Sequence, residues 1–249
     1  MIVARGHVSI HTMSTFILVH GSWHGAWCWY KLVPRLEKLG HTVIAPDLPS
    51  LGRDRTPVNR VSLATWRRRV CEAVESAAEP VVLVGHSRGG IVISEVAEHL
   101  PERVQGLVYL CAFLLRDGQC LSDVASSDES SLVAPNTVMS EDKTSCVVRA
   151  DVLRDAFYGE CSDDDFALAS LCLQPEAILP LVTPLKLSAE KFGTVRRAYI
   201  ECLRDRAIPI ALQRRMQANW PCQSVHALDT DHSPFFSRPD ELAALLTKL

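Results

Sequence analysis

The residues with the clearest chemical signature are those at positions 85–90, which read GHSRGG. A serine in a G-x-S-x-G pattern, between a strand and a helix, is typical of a nucleophile on a sharp turn. Here the apolar run Val81–Val84 precedes the motif and the helical pattern Ile91–Leu100 follows it. We therefore predict that Ser87 is a nucleophile in a strained backbone conformation, flanked by glycines because a Cβ there would collide with the neighbouring strand or helix. The alternative is a glycine-rich turn with only a structural role.

A serine nucleophile needs a base and an acid, and the base comes last in chain order in this arrangement. His226 lies inside a strand pattern and is expected to be packed, whereas His232 lies in a loop before the last helix. We predict His232 as the base. Asp205 follows the strand pattern Val195–Leu203 and is predicted as the acid that holds the imidazole tautomer. Three other carboxylates are rivals for this role: Asp229, Asp231 and Asp117.

Two backbone N–H groups are expected to face a developing oxyanion. One belongs to Arg88, at the N-terminus of the helix after the nucleophile. The other belongs to Ser22, which follows the first strand pattern, Phe16–His20. The Ser22 hydroxyl has two equally supported interpretations, a bond to the substrate or a cap on the turn. Three neighbours are candidate pocket residues, with core packing as the alternative for the aromatic ones: Gly21, Trp23 and His24.

Strand patterns and helical patterns alternate along the chain, which predicts a doubly wound, mostly parallel sheet. With the nucleophile turn, this indicates an α/β-hydrolase fold. The alternation stops at about residues 115–194, which are predicted to form an inserted helical cap because a simple crossover would be shorter. Its helical pieces are expected at Asp151–Tyr158, Asp163–Leu173 and Pro175–Leu181. Residues 15–249 are expected to form one domain, and residues 1–14 a disordered extension.

Composition excludes several classes of protein. A net charge of −3 over 249 residues predicts no nucleic-acid or membrane partner. The nine cysteines occur singly, without a CxxC pair, so free thiols in a reducing compartment are expected rather than disulfides or a zinc site. The N-terminus has no signal-peptide pattern, and a cytoplasmic location is predicted. A homodimer is left open.

Several segments resemble the plant methylesterase and hydroxynitrile lyase group and its bacterial esterase relatives, including esterases similar to pyrethroid hydrolases, within the α/β-hydrolases. The segments that carry the resemblance are residues 20–27, 45–48, 161–170, 192–200 and 205–209. The resemblance covers nearly the whole chain after Ser14. It implies the roles given above for Ser87, Asp205 and His232, with Ser22 and Arg88 N–H groups as the oxyanion hole. It also implies that neither a cofactor nor a metal takes part.

Differences from that group favour ester hydrolysis over cyanohydrin cleavage. The lyases have a lysine directly after the base and a threonine after the first strand, where this chain has Ser233 and Gly21. Arg88 replaces an apolar residue of the plant esterases, so a changed acid-side pocket is expected and the plant hormone esters are not carried over. We expect a serine carboxylesterase acting on small or aromatic, hydrophobic esters through an acyl-enzyme. The alternatives are a lyase and a slow-turnover receptor of the same fold.

Overall fold

The computed structural model describes residues 13–249 of the chain. The prediction of a disordered extension at residues 1–14 therefore falls, up to residue 12, outside the described residues. The strands are β1 Thr15–Val19, β2 Thr42–Ile44, β3 Val81–His86, β4 Val104–Leu110, β5 Thr137–Met139, β6 Ser145–Val148, β7 Glu176–Ala177, β8 Arg197–Cys202 and β9 Ser224–Leu228. The α-helices are α1 Val33–Lys38, α2 Leu63–Ser76, α3 Gly89–His99, α4 Leu121–Ser126, α5 Leu153–Phe157, α6 Asp163–Cys172, α7 Ile178–Leu181, α8 Ile210–Asn219, α9 Pro234–Ser237 and α10 Pro239–Leu246.

The main sheet has six strands in the order β2-β1-β3-β4-β8-β9, and all neighbours are parallel. The predicted α/β-hydrolase architecture is confirmed. Strand β3 lies between β1 and β4, so the turn that follows it is at the middle of the sheet's C-terminal edge. Loops from neighbouring parallel strands meet at this edge, where ligands bind in open α/β sheets.

Both faces of the main sheet are buried, as the continuous apolar strand patterns require. In β1, Ile17 and Val19 belong to a core cluster on one face, while Phe16 and Leu18 belong to the cluster on the other. Helices α2, α3 and α8 contribute to the first cluster, and α1, α9 and α10 to the second. This packing on two sides fixes the sheet and therefore the loops at its edge.

The helix bounds follow local signals. Helix α2 begins after Ser62, whose Oγ accepts from the Thr65 N–H while the Thr65 hydroxyl accepts from the Ser62 N–H. Helix α3 begins at Gly89, two residues before the predicted Ile91, because the nucleophile turn leads directly into it. Within residues 13–249, no helix is both long and apolar enough to cross a membrane.

The inserted segment at residues 115–194, which we call the cap segment, contains more than the predicted helices. Its helices α4–α7 are joined by an antiparallel sheet of three strands in the order β5-β6-β7. The purely helical cap was therefore an incomplete prediction. These strands have two to four residues each, too few for a period-of-two pattern to be visible.

Candidate active site

Ser87 occupies the turn between β3 and α3. Its φ is +53°, in the left-handed region that costs a non-glycine residue about 1–2 kcal/mol. The expected backbone strain is confirmed. An added Cβ on Gly89 would lie 2.5 Å from the carbonyl oxygen of Val19, so only glycine permits this close approach of helix and strand. The Ser87 N–H donates to the Leu110 carbonyl, and the Phe113 N–H donates to the Ser87 carbonyl, so neighbouring chain holds the turn on both sides.

The carboxylate of Asp205 accepts a hydrogen bond from His232, with 2.6 Å between Oδ2 and Nδ1. Because an ionised carboxylate only accepts, this contact keeps the proton on Nδ1 and leaves Nε2 as the basic nitrogen. The other carboxylate oxygen of Asp205 accepts from the N–H groups of Ala207 and Ile208 at 2.7 and 2.8 Å. Asp205 is therefore held in one orientation, and it orients the imidazole in turn.

The imidazole of His232 lies directly beside the nucleophile turn. Its ring centroid is 4.6 Å from that of His86, the residue before Ser87. Phe157 of the cap segment also contacts it, with 5.5 Å between ring centroids. His232 is buried, although it lies in a loop. The structure thus brings Asp205, His232 and the Ser87 turn into one place.

The rival residues have other contacts. Asp231 is buried and shapes the loop, because it accepts from the Ser233 N–H at 3.1 Å and the Glu160 N–H at 2.8 Å. Three more residues lie elsewhere: exposed Asp229 pairs with Arg204, Asp117 accepts from the Leu187 N–H, and half-buried His226 is in β9.

The Gly21–Trp23 loop follows β1 and lies against the nucleophile turn. An added Cβ on Gly21 would lie 2.9 Å from the Ser87 Cβ, so the two loops are in contact. The Trp23 N–H donates to Glu176 Oε2 at 2.9 Å, and the Gly21 carbonyl accepts from Arg88 Nη2 at 2.9 Å. These two hydrogen bonds fix the main chain on both sides of Ser22, at the Gly21 carbonyl and at the Trp23 N–H.

A cavity of about 380 Å³ opens between the cap segment and the sheet edge. The core contributes seven of its lining residues: Ser22, Trp23, Ser87, Phe113, Ala207, Ile208 and Leu212. The cap segment contributes the others: Leu121, Ser122, Ala125, Ser126, Ser131, Val133, Ala134, Thr137, Met139, Cys146, Phe157, Ile178, Leu181 and Val182. Apolar side chains predominate, and the polar ones are hydroxyls, a thiol and an indole. The described lining contains no charged side chain.

The tentative pocket residues have different positions. Trp23 lines the cavity, whereas Gly21 and His24 are not among its described lining residues. His24 is buried: Nδ1 donates to the Ser22 carbonyl at 2.6 Å and Nε2 accepts from the Tyr158 hydroxyl at 2.7 Å. Burial lowers the pKa of His24 to about 4. The Arg88 guanidinium is also absent from the lining, so the expected change to the acid-side pocket is not seen.

Some residues of the site carry no sequence signal of their own. Phe157 belongs only to the helical pattern Asp151–Tyr158 and Phe113 only to the strand pattern Val104–Phe113, while Leu212 belongs to no pattern with assigned bounds. Glu176 was not singled out, although it is a carboxylate directly before the apolar run Ala177–Leu181. The arginine after the nucleophile was a usable clue, because a buried guanidinium requires a carboxylate or several carbonyls nearby.

The donor atoms of His86, Cys111 and His232 lie within 4.8 Å of one another. Their chemistry does not fit a metal site. His232 Nδ1 is bonded to Asp205, and His86 Nε2 lies 2.8 Å from the His232 carbonyl oxygen. Burial raises the pKa of the Cys111 thiol well above its ordinary value, which opposes the thiolate form that metals bind.

Comparisons with known proteins agree with this arrangement. Residues 16–245 match the sequence profile of the alpha/beta hydrolase family. Methylesterase 7 of Arabidopsis thaliana is 32% identical over 247 residues, which cover 94% of this chain and 95% of that protein. Salicylic acid-binding protein 2 of Nicotiana tabacum is 32% identical over 249 residues, which cover 94% of this chain and 96% of that protein.

A solved structure of a pyrethroid hydrolase superposes with a TM-score of 0.84 and 28% identity, over 95% of this chain and 97% of that one. Five Arabidopsis relatives named as chloroplastic methylesterases are longer, and the chain spans between 55% and 71% of their length. The resemblance inferred from the sequence motifs is confirmed. On fold, sequence and site-bearing loops together, the chain belongs to the alpha/beta hydrolase family.

Proposed function

We propose that this chain is a serine carboxylesterase that hydrolyses small or aromatic, hydrophobic esters through an acyl-enzyme on Ser87. The observation that carries the proposal is the 2.6 Å contact of His232 Nδ1 with Asp205 Oδ2, beside a strained serine turn. An oriented imidazole next to a serine is the arrangement that activates a hydroxyl as a nucleophile. Relatives named as a methylesterase and as a pyrethroid hydrolase support the same chemistry.

In the proposed reaction, His232 Nε2 accepts the Ser87 Oγ proton while Oγ bonds to the ester carbonyl carbon. The carbonyl oxygen becomes an oxyanion that faces the N–H groups of Ser22 and Arg88. His232 then donates the proton to the leaving alcohol as the carbon–oxygen bond breaks, which leaves an ester of Ser87. Water then bonds to the acyl carbon as it gives a proton to His232 Nε2, and His232 returns that proton to Ser87 Oγ as the acyl–Oγ bond breaks and the carboxylic acid leaves.

The cavity supports neutral, apolar acyl groups as substrates. Its volume of about 380 Å³ and its hydroxyl and hydrocarbon lining offer no cation to a second carboxylate. Moving an unpaired carboxylate into such a space is unfavourable. We expect p-nitrophenyl butyrate to be cleaved with kcat/KM at least about tenfold above the p-nitrophenyl half-ester of succinic acid. Equal values would contradict this part of the proposal.

A fluorophosphonate probe tests the nucleophile. The wild-type protein is expected to react once, and peptide mapping is expected to find the label on Ser87. Ser87→Ala is expected to lose both labelling and hydrolysis of p-nitrophenyl butyrate. Ser130→Ala is the matched control, because Ser130 is exposed and does not line the cavity. It is expected to behave as the wild type.

Three outcomes would contradict the proposed esterase function. One is a Ser87→Ala variant with the wild-type rate, and another is a label on a different residue. The third is tight binding of esters without turnover, which is the behaviour of a receptor.

We also propose a reducing, cytoplasmic location. All nine cysteines are free, and six of them are buried. Free buried thiols are usual in reducing compartments. Cell fractionation with an antibody to the chain tests this, and recovery in an oxidising compartment would contradict it.

A further inference from the structure

The Arg88 side chain is fully buried, although it adjoins the proposed nucleophile. Its guanidinium carbon lies 4.0 Å from the centroid of a Trp66 ring in α2, a cation–π contact. Its Nη2 donates to the Gly21 carbonyl oxygen at 2.9 Å and lies 3.5 Å from Glu176 Oε2. Glu176 is likewise fully buried, in β7 of the cap segment. A fully buried arginine requires an explanation, because its desolvation is costly.

The carbonyl that Arg88 binds belongs to the peptide group whose N–H is that of Ser22. The described chain contains no cis peptide bond, so the Gly21 C=O and the Ser22 N–H lie in one plane and point in opposite directions. The Gly21 oxygen accepts from Arg88 Nη2 and from His20 Nδ1, the latter at 3.0 Å, and both donors therefore direct the Ser22 N–H away from themselves. A cation on the carbonyl also polarises the amide and makes its N–H a stronger donor.

The next peptide group is held as firmly. Trp23 has a φ of +62°, which is unfavourable for a tryptophan. Its N–H donates to Glu176 Oε2 at 2.9 Å, and the Ser22 carbonyl of the same peptide accepts from His24 Nδ1 at 2.6 Å. Glu176 therefore stabilises the strained residue with the same oxygen that lies near Arg88.

We propose that the Arg88 guanidinium, paired with Glu176 of the cap segment, orients and polarises the Gly21–Ser22 peptide so that its N–H can bind the oxyanion. The inference rests on the proposed function, since it concerns the same site. Arg88 takes part twice: its own backbone N–H is the other oxyanion donor, and its side chain is a positioning group for Ser22. The geometry of the oxyanion hole then depends on a carboxylate that the cap segment supplies.

Three variants separate this role from a stabilising one. Arg88→Met keeps the length and the backbone donor but leaves the Glu176 carboxylate unpaired, so it is at risk of misfolding. The double variant Arg88→Met/Glu176→Gln removes both charges and keeps an oxygen that accepts from the Trp23 N–H. Arg88→Lys keeps the charge. Folding of each is checked by thermal unfolding before kinetics.

The measurements are kcat and KM for p-nitrophenyl butyrate and the inhibition constants of two ligands of equal size. A trifluoromethyl ketone adds to the serine and places an oxyanion in the hole, whereas the matching secondary alcohol does not. In the double variant we expect kcat to fall about 10- to 100-fold. This decrease is no larger than the one expected when an oxyanion-hole donor is removed altogether. KM and the alcohol constant are expected to change less than about threefold, and the ketone constant to rise as kcat falls. Arg88→Lys is expected to recover part of kcat.

A folded double variant with wild-type kcat and an unchanged ketone constant overturns the inference. So does an equal rise in the ketone and alcohol constants, which is the mark of a disturbed pocket. Both results leave the proposed function intact, because the wild type still hydrolyses the ester and labels at Ser87. A wild type that does neither ends the proposed function, and this inference with it.

Discussion

The imidazole of His86 donates from Nε2 to the main-chain carbonyl oxygen of His232 across 2.8 Å. The residue before the proposed nucleophile therefore holds the loop of the proposed base. This contact spans 146 positions in sequence and is buried. Asp205 fixes the ring of His232, and His86 fixes its backbone, so two separate contacts determine where Nε2 lies.

His86→Phe should lower kcat about tenfold, because the His232 carbonyl then keeps only the weak Cys111 thiol donor at 3.6 Å and the loop gains freedom. KM should change little, since His86 does not line the cavity. Steady-state kinetics with p-nitrophenyl butyrate measure both. His86→Gln keeps a donor and should lose less activity; if the two variants are equally impaired, ring packing rather than the hydrogen bond explains the loss.

Asp205→Asn should lower kcat by about 10³- to 10⁴-fold, with KM close to that of the wild type. The amide can donate to His232 Nδ1, which favours the tautomer with its proton on Nε2 and removes the base. Asp117→Asn is the control, because Asp117 binds the Leu187 N–H away from the site. The assignment of the acid fails if the two variants retain similar rates.

Gly21→Ala should lower activity about tenfold or more and cost about 1–3 kcal/mol in the free energy of unfolding. The added Cβ would lie 2.8 Å from His86 Nδ1 and 2.9 Å from the Ser87 Cβ, so the nucleophile turn must move. Gly159→Ala is a matched control, because nothing lies within 4 Å of its added Cβ. Urea unfolding and ester hydrolysis are measured on both. If the two variants have equal stability and equal activity, the contact between the Gly21–Trp23 loop and the nucleophile turn is not needed for either.

The stability of the protein should fall as the pH drops below 6.5. Burial lowers the pKa of His24 from 6.5 to about 4, and it lowers the pKa of His20 and of His86 well below the ordinary value. Above pH 6.5 these groups are neutral in both states. Between pH 6.5 and 4 the His24 side chain is protonated in the unfolded chain but neutral in the folded protein. The free energy of unfolding therefore falls by about 1.4 kcal/mol per pH unit because of that residue.

His24→Gln tests the contribution of this one residue. The amide can donate to the Ser22 carbonyl and accept from the Tyr158 hydroxyl, as His24 does. Urea unfolding at pH 7.5 and 5.0 should show a smaller loss of stability in the variant than in the wild type. The loss should persist in part, because His20 and His86 remain. If the variant loses as much stability between pH 7.5 and 5.0 as the wild type, His24 does not contribute to the acid sensitivity.

Elements determined by neighbouring residues were predictable from the sequence. Strand β3, the serine turn and α3 follow one another within nineteen positions, and the apolar run Val81–Val84 lies within β3. The strand pattern Thr42–Leu48 is longer than the strand that forms, because β2 ends at Ile44. The proline at position 46 has no N–H for a strand ladder, and this was the overlooked signal.

Contacts between distant segments were not predictable in the same way. Strands β6 and β7 pair through Cys146 and Glu176, thirty positions apart, and β7 has only two residues. The positions of the Arg88 and His24 side chains depend on such contacts with distant segments. A side chain's type suggested a pocket for both, but burial and hydrogen bonding place them behind the Gly21–Trp23 loop.

The buried pair of Arg88 and Glu176 joins the core to the cap segment by charge. The cap segment of this chain therefore cannot be exchanged independently of its core when chimeric enzymes are built. A cap with an acidic residue at position 176, grafted onto a core with leucine after the serine, would strand a carboxylate in a dry interior. Recombination between relatives, in the laboratory or in nature, would have to transfer these two positions together.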